Sequence, residues 1–101
     1  MHTRNHLEIS EEPLKKWCQR WKVRELALFG SATNDTFSDD SDVDLLVEFQ
    51  TGAQVTLFTL SRMQREMSAL LARSVDLVPK QGLKPRIRDE VLASAQVIYA
   101  A

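Results

Sequence analysis

Three carboxylates lie in stretches that otherwise carry the apolar side chains of buried β-strands. Asp42 lies at the edge of the run VDLLVEF at residues 43–49, Asp44 lies inside it, and Asp76 lies inside the run SVDLV at residues 74–78. Side chains of a strand alternate between its two faces, so Asp42 and Asp44 should share a face. A carboxylate in such a place is costly unless it is paired or binds a metal ion.

If the strand of Asp76 lies beside that of Asp44, the three carboxylates converge. Residues 25–61 contain no Lys or Arg, whereas the segments before and after them are net basic. Three converging carboxylates without basic partners repel one another at neutral pH, and a divalent cation removes that repulsion. Oxygen ligands suit Mg²⁺ or Mn²⁺. The sequence therefore predicts a metal site at Asp42, Asp44 and Asp76; the alternative is that they are surface strand ends without a ligand.

A second group of residues precedes these carboxylates. Gly30 follows the apolar run LALF, Ser31 comes next, and ten residues separate Ser31 from Asp42. Glycine permits a tight turn in which backbone N–H groups face an anion, and serine adds a hydroxyl donor. We therefore predict that Gly30 and Ser31 bind phosphate at one end of the carboxylate strand.

Hydrophobic periodicity predicts six elements in the order α-β-β-α-β-α. In chain order they are a helix after Ser10, strands at 26–29 and 43–49, a helix over 56–72, a strand at 74–78 and a helix opened by Pro85. A turn-rich loop or short helix is expected at 31–41, and a short apolar tail at 97–99. This order predicts an α/β (α+β) fold in which helices flank a small mixed β-sheet.

Composition narrows the class of protein. The 101 residues suffice for one domain over 1–101 with a modest core, and a hydrophobic content of 44% is too high for a disordered chain. No apolar run approaches the ~20 residues of a membrane span, and residues 1–6 lack the apolar stretch of a signal peptide. The lone Cys18 excludes an internal disulfide and a cysteine metal cluster. We therefore expect a cytoplasmic protein that binds no membrane.

Two tryptophans lie four residues apart on the first predicted helix. Trp17 and Trp21 are typical of core or interface packing, with base stacking as the alternative. Basic side chains at the start of the last predicted helix are typical of a solvated face, with contact to a nucleotide or an RNA-bound partner as the alternative. They are Lys84, Arg86 and Arg88.

The two motifs together resemble a known signature. LFGS at residues 28–31, followed by SDVDLLV at residues 41–47, resembles the signature of the DNA polymerase beta-like nucleotidyltransferases. In particular the chain resembles the minimal nucleotidyltransferase (MNT) proteins, antitoxins encoded beside HEPN-domain toxins. The resemblance covers most of the chain and includes VDLV at 75–78 and the segment from LKP at 83–85 to IY at 98–99.

This resemblance implies a fold, a reaction and a partner. It implies a single minimal nucleotidyltransferase domain over 1–101, in which Asp42, Asp44 and Asp76 hold two Mg²⁺ ions. Asp76 also helps to deprotonate the acceptor hydroxyl, and Gly30 and Ser31 hold the triphosphate of ATP. In the family the acceptor is a tyrosine of the HEPN toxin, and AMP transfer silences its RNase activity. No direct DNA binding is expected.

Two alternatives to this function remain at the level of sequence. The chain is either a non-catalytic antitoxin that acts by binding alone or a nucleotidyltransferase that modifies a small molecule. The first is suggested by Asn34 and Asp35, which stand where the family often has Arg and Gly. An arginine there would neutralise phosphate charge. The basic residues that could replace it are Arg62, Arg65, Lys80 and Lys84.

Overall fold

A computed structural model describes residues 9–29 and 42–101 of the chain. The helices are α1 (Glu11–Arg20), α2 (Leu57–Leu71) and α3 (Pro85–Ser94), and a 3₁₀ turn covers Lys80–Gly82. The strands are β1 (Val23–Phe29), β2 (Val43–Phe49), β3 (Val75–Pro79) and β4 (Gln96–Ala100). None of the helices in these two ranges is long and apolar enough to cross a membrane.

The described strands form one sheet in the order β3-β2-β1-β4. β1 pairs antiparallel with both β2 and β4. β2 and β3 are parallel, and α2 provides the crossover between them. Parallel neighbours need such a crossover, whereas a tight turn can join antiparallel ones. The predicted mixed sheet flanked by helices is therefore confirmed.

The prediction was wrong at the end of the chain. The segment expected to be a short apolar tail at 97–99 is part of β4, which extends the sheet beside β1. Its core, Val97-Ile98-Tyr99, has strand-forming side chains, but three residues are too short for a clear alternating pattern. The strand is defined by pairing with β1, for example Leu26 with Tyr99.

The main core lies on one face of the sheet, against α1 and α2. Trp17 and Met63 pack there with inward-pointing strand residues such as Leu28 and Leu45. Trp17 is therefore a core residue, as predicted. Trp21 is half-buried at the edge of this core: its Nε1 donates to Glu66 Oε1 at 2.9 Å.

The opposite face of the sheet holds few buried residues among those described. Ala27 and Leu46 are only 3% and 4% exposed, although they lie outside the main core cluster. α3 joins β3 to β4, the two edge strands of the sheet, and it contacts β1. It has no fully buried residue, so it contributes little to the buried core.

Cys18 lies fully buried in the main core. Burial raises the pKa of its thiol to about 12 from a usual 9.0. Because a fully buried thiol can react only when the core around it opens, we expect a maleimide to label the folded protein at pH 8 much more slowly than the urea-unfolded chain. The difference should be at least ~10³-fold, the lower end of the equilibrium constants of folding. Mass spectrometry of timed samples measures both rates on the chain's one cysteine. Fast labelling without urea would show that this part of the core opens readily.

Candidate functional site

Two of the three predicted carboxylates are neighbours across the parallel strand pair. Asp44 of β2 is in register with Asp76 of β3, and on its other side Asp44 is paired with Phe29 of β1. Asp42 lies two residues before Asp44 and, by strand alternation, on the same side. Since Val43 and Leu45 point into the main core, the carboxylates lie on the opposite face.

The three side chains differ in their access to water. Asp42 and Asp76 are exposed, whereas Asp44, between β1 and β3, is half-buried. Asp44 therefore lies at the centre of a small carboxylate cluster, which we define as Asp42, Asp44 and Asp76. Its two outer members have room to rotate.

The electrostatics of this carboxylate cluster are unfavourable in the metal-free protein. Desolvation by burial raises the pKa of Asp44 above its usual 3.8, and the negative charges of Asp76 and Asp42 raise this pKa further. Within the described residues, no basic side chain forms an ion pair with the cluster. The described residues therefore bring negative charge together here without an ion pair among themselves that compensates for it.

The donor chemistry of the cluster fits a hard divalent cation. All three side chains offer carboxylate oxygens, the ligands that Mg²⁺ prefers in proteins. In residues 9–29 and 42–101, no three His, Cys, Asp or Glu side chains are arranged closely enough to hold a metal ion already. The donor types therefore fit such a cation, but the side chains as placed do not form a complete metal site within the described residues.

The predicted phosphate-binding residues, Gly30 and Ser31, lie outside the described residues, and so do Asn34 and Asp35. The nearest described position is Phe29, which directly precedes Gly30 in the chain and is paired with Asp44. The chain therefore enters the Gly-Ser segment from a point beside the carboxylate cluster.

The structure separates the four basic residues considered for phosphate binding. Arg62 lies on α2, on the core side of the sheet, and its Nε is 3.6 Å from Glu66 Oε2; Arg65 is exposed on the same helix. Lys80 directly follows β3, and its Nζ is 3.6 Å from Glu48 Oε2. At ~3.3 Å per residue, Lys80 lies about 13 Å along the chain from Asp76. Lys84 is exposed just before α3. In this structure none of the four forms an ion pair with the carboxylate cluster.

Two residues that sequence reasoning missed contact the strand of Asp76. Gln64 and Ser68 of α2 accept hydrogen bonds from backbone N–H groups of β3. They lie four residues apart on the helix, beside the core residues Met63 and Met67. A polar pair at this spacing beside a core stripe is the signal that could have identified them.

The raised pKa of Asp44 predicts how stability depends on pH. The folded state holds this proton more tightly than the unfolded chain, so ionisation of Asp44 destabilises the fold as pH rises from about 3.8 through the raised pKa. We expect the metal-free Asp44→Asn variant to gain stability relative to wild type across that range. Urea denaturation from pH 3.5 to 7.5 measures the difference.

The matched control for this titration is Asp89→Asn, at an exposed position of α3. As a surface change away from the carboxylate cluster, it should alter stability by less than about 0.5 kcal/mol. If the stability difference of Asp44→Asn from wild type did not change with pH, burial and the neighbouring negative charges would not destabilise the ionised Asp44 side chain.

Comparison with known proteins finds a family model and a named relative that each match most of the chain. The nucleotidyltransferase domain family matches residues 10–98. The protein adenylyltransferase MntA of Thermococcus cleftensis is 38% identical over 85 residues, which are 84% of this chain and 82% of that protein.

Solved structures share the fold. A chain from a toxin–antitoxin crystal structure with AMP-PNP superposes with a TM-score of 0.74 at 19% identity, over 92% of this chain and 75% of that one. A chain from the complex of a tri-AMPylated Shewanella oneidensis HEPN toxin with MNT antitoxin has a TM-score of 0.65 at 17% identity, over 90% and 70% of the two chains.

Proposed function

This chain belongs to the nucleotidyltransferase domain family, and we propose that it is a Mg²⁺-dependent antitoxin. In this proposal it transfers AMP from ATP to a tyrosine of a partner HEPN RNase toxin and thereby neutralises the toxin. The observation that carries the proposal is the register of Asp44 with Asp76 on the face opposite the core, beside the residue that precedes Gly30. The named adenylyltransferase relative supports the same reaction.

The proposed site residues fall into two groups, the metal ligands and the phosphate-binding residues. Asp42, Asp44 and Asp76 hold two Mg²⁺ ions, and Gly30 and Ser31 bind the triphosphate through backbone N–H groups and a hydroxyl. When bound, the metal ions activate the attacking oxygen and stabilise the charge of the leaving pyrophosphate. Asp76 also accepts the proton of the tyrosine hydroxyl as that oxygen bonds to the α-phosphorus. The bond from the α-phosphorus to the β-phosphate bridge breaks, and pyrophosphate leaves.

The exposure of the carboxylate cluster favours a protein as the acceptor. Asp42 and Asp76 are open to solvent, so a tyrosine on another chain can approach them. We propose that residues 1–101 act as one domain and that the partner completes the cleft. The use of ATP fits a cytoplasmic reaction.

The test is transfer of label to the partner protein. The chain is incubated with a HEPN-domain protein as the proposed partner, Mg²⁺ and ATP labelled at the α-phosphate. We expect label on the HEPN protein, loss of transfer when EDTA removes the metal, and a mass increase of one AMP per modified tyrosine. Peptide mass spectrometry identifies the modified side chain.

Other results would select other functions. Neutralisation of the RNase in a stable complex without label would indicate an antitoxin that acts by binding alone. Label on small molecules of a cell extract, with none on the HEPN protein, would indicate a small-molecule nucleotidyltransferase. Either result would overturn the proposed reaction.

A further inference from the structure

β3, the strand that carries Asp76, is an edge strand of the sheet, yet its backbone forms hydrogen bonds on both sides. On one side it is paired with β2. In a parallel ladder, alternate residues of a strand direct their N–H and C=O groups toward the partner strand. Ser74, which accepts from the Val43 N–H, and Asp76 direct theirs toward β2, so the residues on either side of Asp76 direct theirs outward. These outward N–H groups belong to Val75 and Leu77. At most sheet edges such groups face water.

In this protein α2 covers both N–H groups with side-chain acceptors. The Val75 N–H donates to Ser68 Oγ at 3.1 Å, and the Leu77 N–H donates to Gln64 Oε1 at 3.0 Å. Both acceptors are half-buried, so these bonds are partly shielded from competing water. Asp76 lies between the two bonded residues.

The helix that supplies these acceptors is itself fixed. Met63 and Met67, each adjacent in sequence to one acceptor, are fully buried in the main core. Residues four apart lie above one another on a helix face. Gln64 and Ser68 therefore approach β3 from one side of a helix that its neighbouring methionines anchor in the core.

This arrangement matters because the carboxylates of β2 and β3 repel each other. Asp44 and Asp76 are in register with no basic partner among the described residues, so repulsion acts to separate the five-residue β3 from β2 at this point. We propose that Gln64 and Ser68 are positioning residues that keep Asp76 in register with Asp44. The inference rests on the proposed role of Asp76 in metal binding.

The direct test uses Mn²⁺ as the probe and requires no acceptor protein. We expect the Gln64→Met/Ser68→Ala variant to bind Mn²⁺ about tenfold more weakly than wild type in the presence of AMP-PNP, as measured by electron paramagnetic resonance. Loss of groups that orient metal ligands typically has an effect of this size. Gln64→Met/Ser68→Thr keeps one acceptor and should give an intermediate affinity.

Matched controls separate positioning from a general loss of stability. Gln19→Met on α1 and Ser61→Ala on α2 make the same chemical changes at exposed positions and should leave Mn²⁺ affinity unchanged. Hydrogen exchange of the Val75 and Leu77 amides should accelerate only in the Gln64 and Ser68 variants. If the double variant does not fold, the Gln64→Met single variant supplies the same comparison at Leu77.

The Asp76→Asn variant separates failure of this inference from failure of the proposed function. If Asp76→Asn weakens Mn²⁺ binding but the Gln64 and Ser68 variants bind as wild type does, the positioning inference is overturned and the metal site stands. If Asp76→Asn leaves Mn²⁺ binding unchanged, Asp76 is not a ligand, and both the site assignment and the inference fail.

Discussion

Replacing Asp44 with asparagine is expected to lower AMP transfer on the order of 10³-fold, because metal ions contribute several kcal/mol to such a transition state. Asp44 is the central member of the carboxylate cluster, between Phe29 and Asp76 in register. Asparagine has nearly the same shape but cannot balance a divalent charge. The rate of labelled AMP transfer to the HEPN protein measures the loss, and gel filtration checks that the complex still forms.

The same substitution should have the opposite effect on stability. Without metal, Asp44→Asn removes a half-buried charge and its repulsion from Asp76 and Asp42, so it should raise the Tm. Added Mg²⁺ should stabilise the wild type and not Asp44→Asn. Asp89→Asn again serves as the control and should transfer AMP at the wild-type rate. Wild-type activity in Asp44→Asn would refute the proposed site.

Truncating Leu45 to alanine is expected to lower the free energy of unfolding by about 3–5 kcal/mol. Leu45 directly follows Asp44 but points the other way, and it is 0% exposed within the main core. The truncation removes apolar contacts and leaves a cavity that rigid neighbours fill only in part. Domains of this size have about 5–15 kcal/mol of stability in all, so urea denaturation should show a large shift of the midpoint.

Leu57→Ala is the matched control for this truncation. Leu57 is 84% exposed at the start of α2, so the same chemical change should alter stability by less than about 0.5 kcal/mol. Similar losses for the two variants would mean that the main core is not where this structure places it.

The fold was predictable where the sequence pattern is local and long. The run VDLLVEF became β2 with unchanged bounds, and the helix predicted over 56–72 is α2 (Leu57–Leu71). In both segments many apolar positions repeat at one period, so the prediction does not depend on any single residue. β1 begins at Val23 rather than at residue 26, because Arg24 and Glu25 interrupt the apolar run although they continue the strand.

The site was predictable only as far as strand adjacency allows. Alternation places Asp42 and Asp44 on one face, but their approach to Asp76 depends on β3 lying beside β2, which a sequence can suggest and cannot require. The contacts of Gln64 and Ser68 with β3 depend on the rotation of α2 over the sheet. These hydrogen bonds, like the ion pair of Lys80 with Glu48, join residues of separate elements, so no local pattern predicts them.

The parallel pairing of β2 and β3 also bears on when the site forms. These strands can pair only when residues 50–74, which contain α2, close as a loop between them. Contacts between distant parts of a chain form slowly because the intervening loop must first close. Asp42 and Asp44 are neighbours in sequence before folding begins, whereas Asp76 joins them only when β2 and β3 pair. The proposed metal binding should therefore appear only after that pairing.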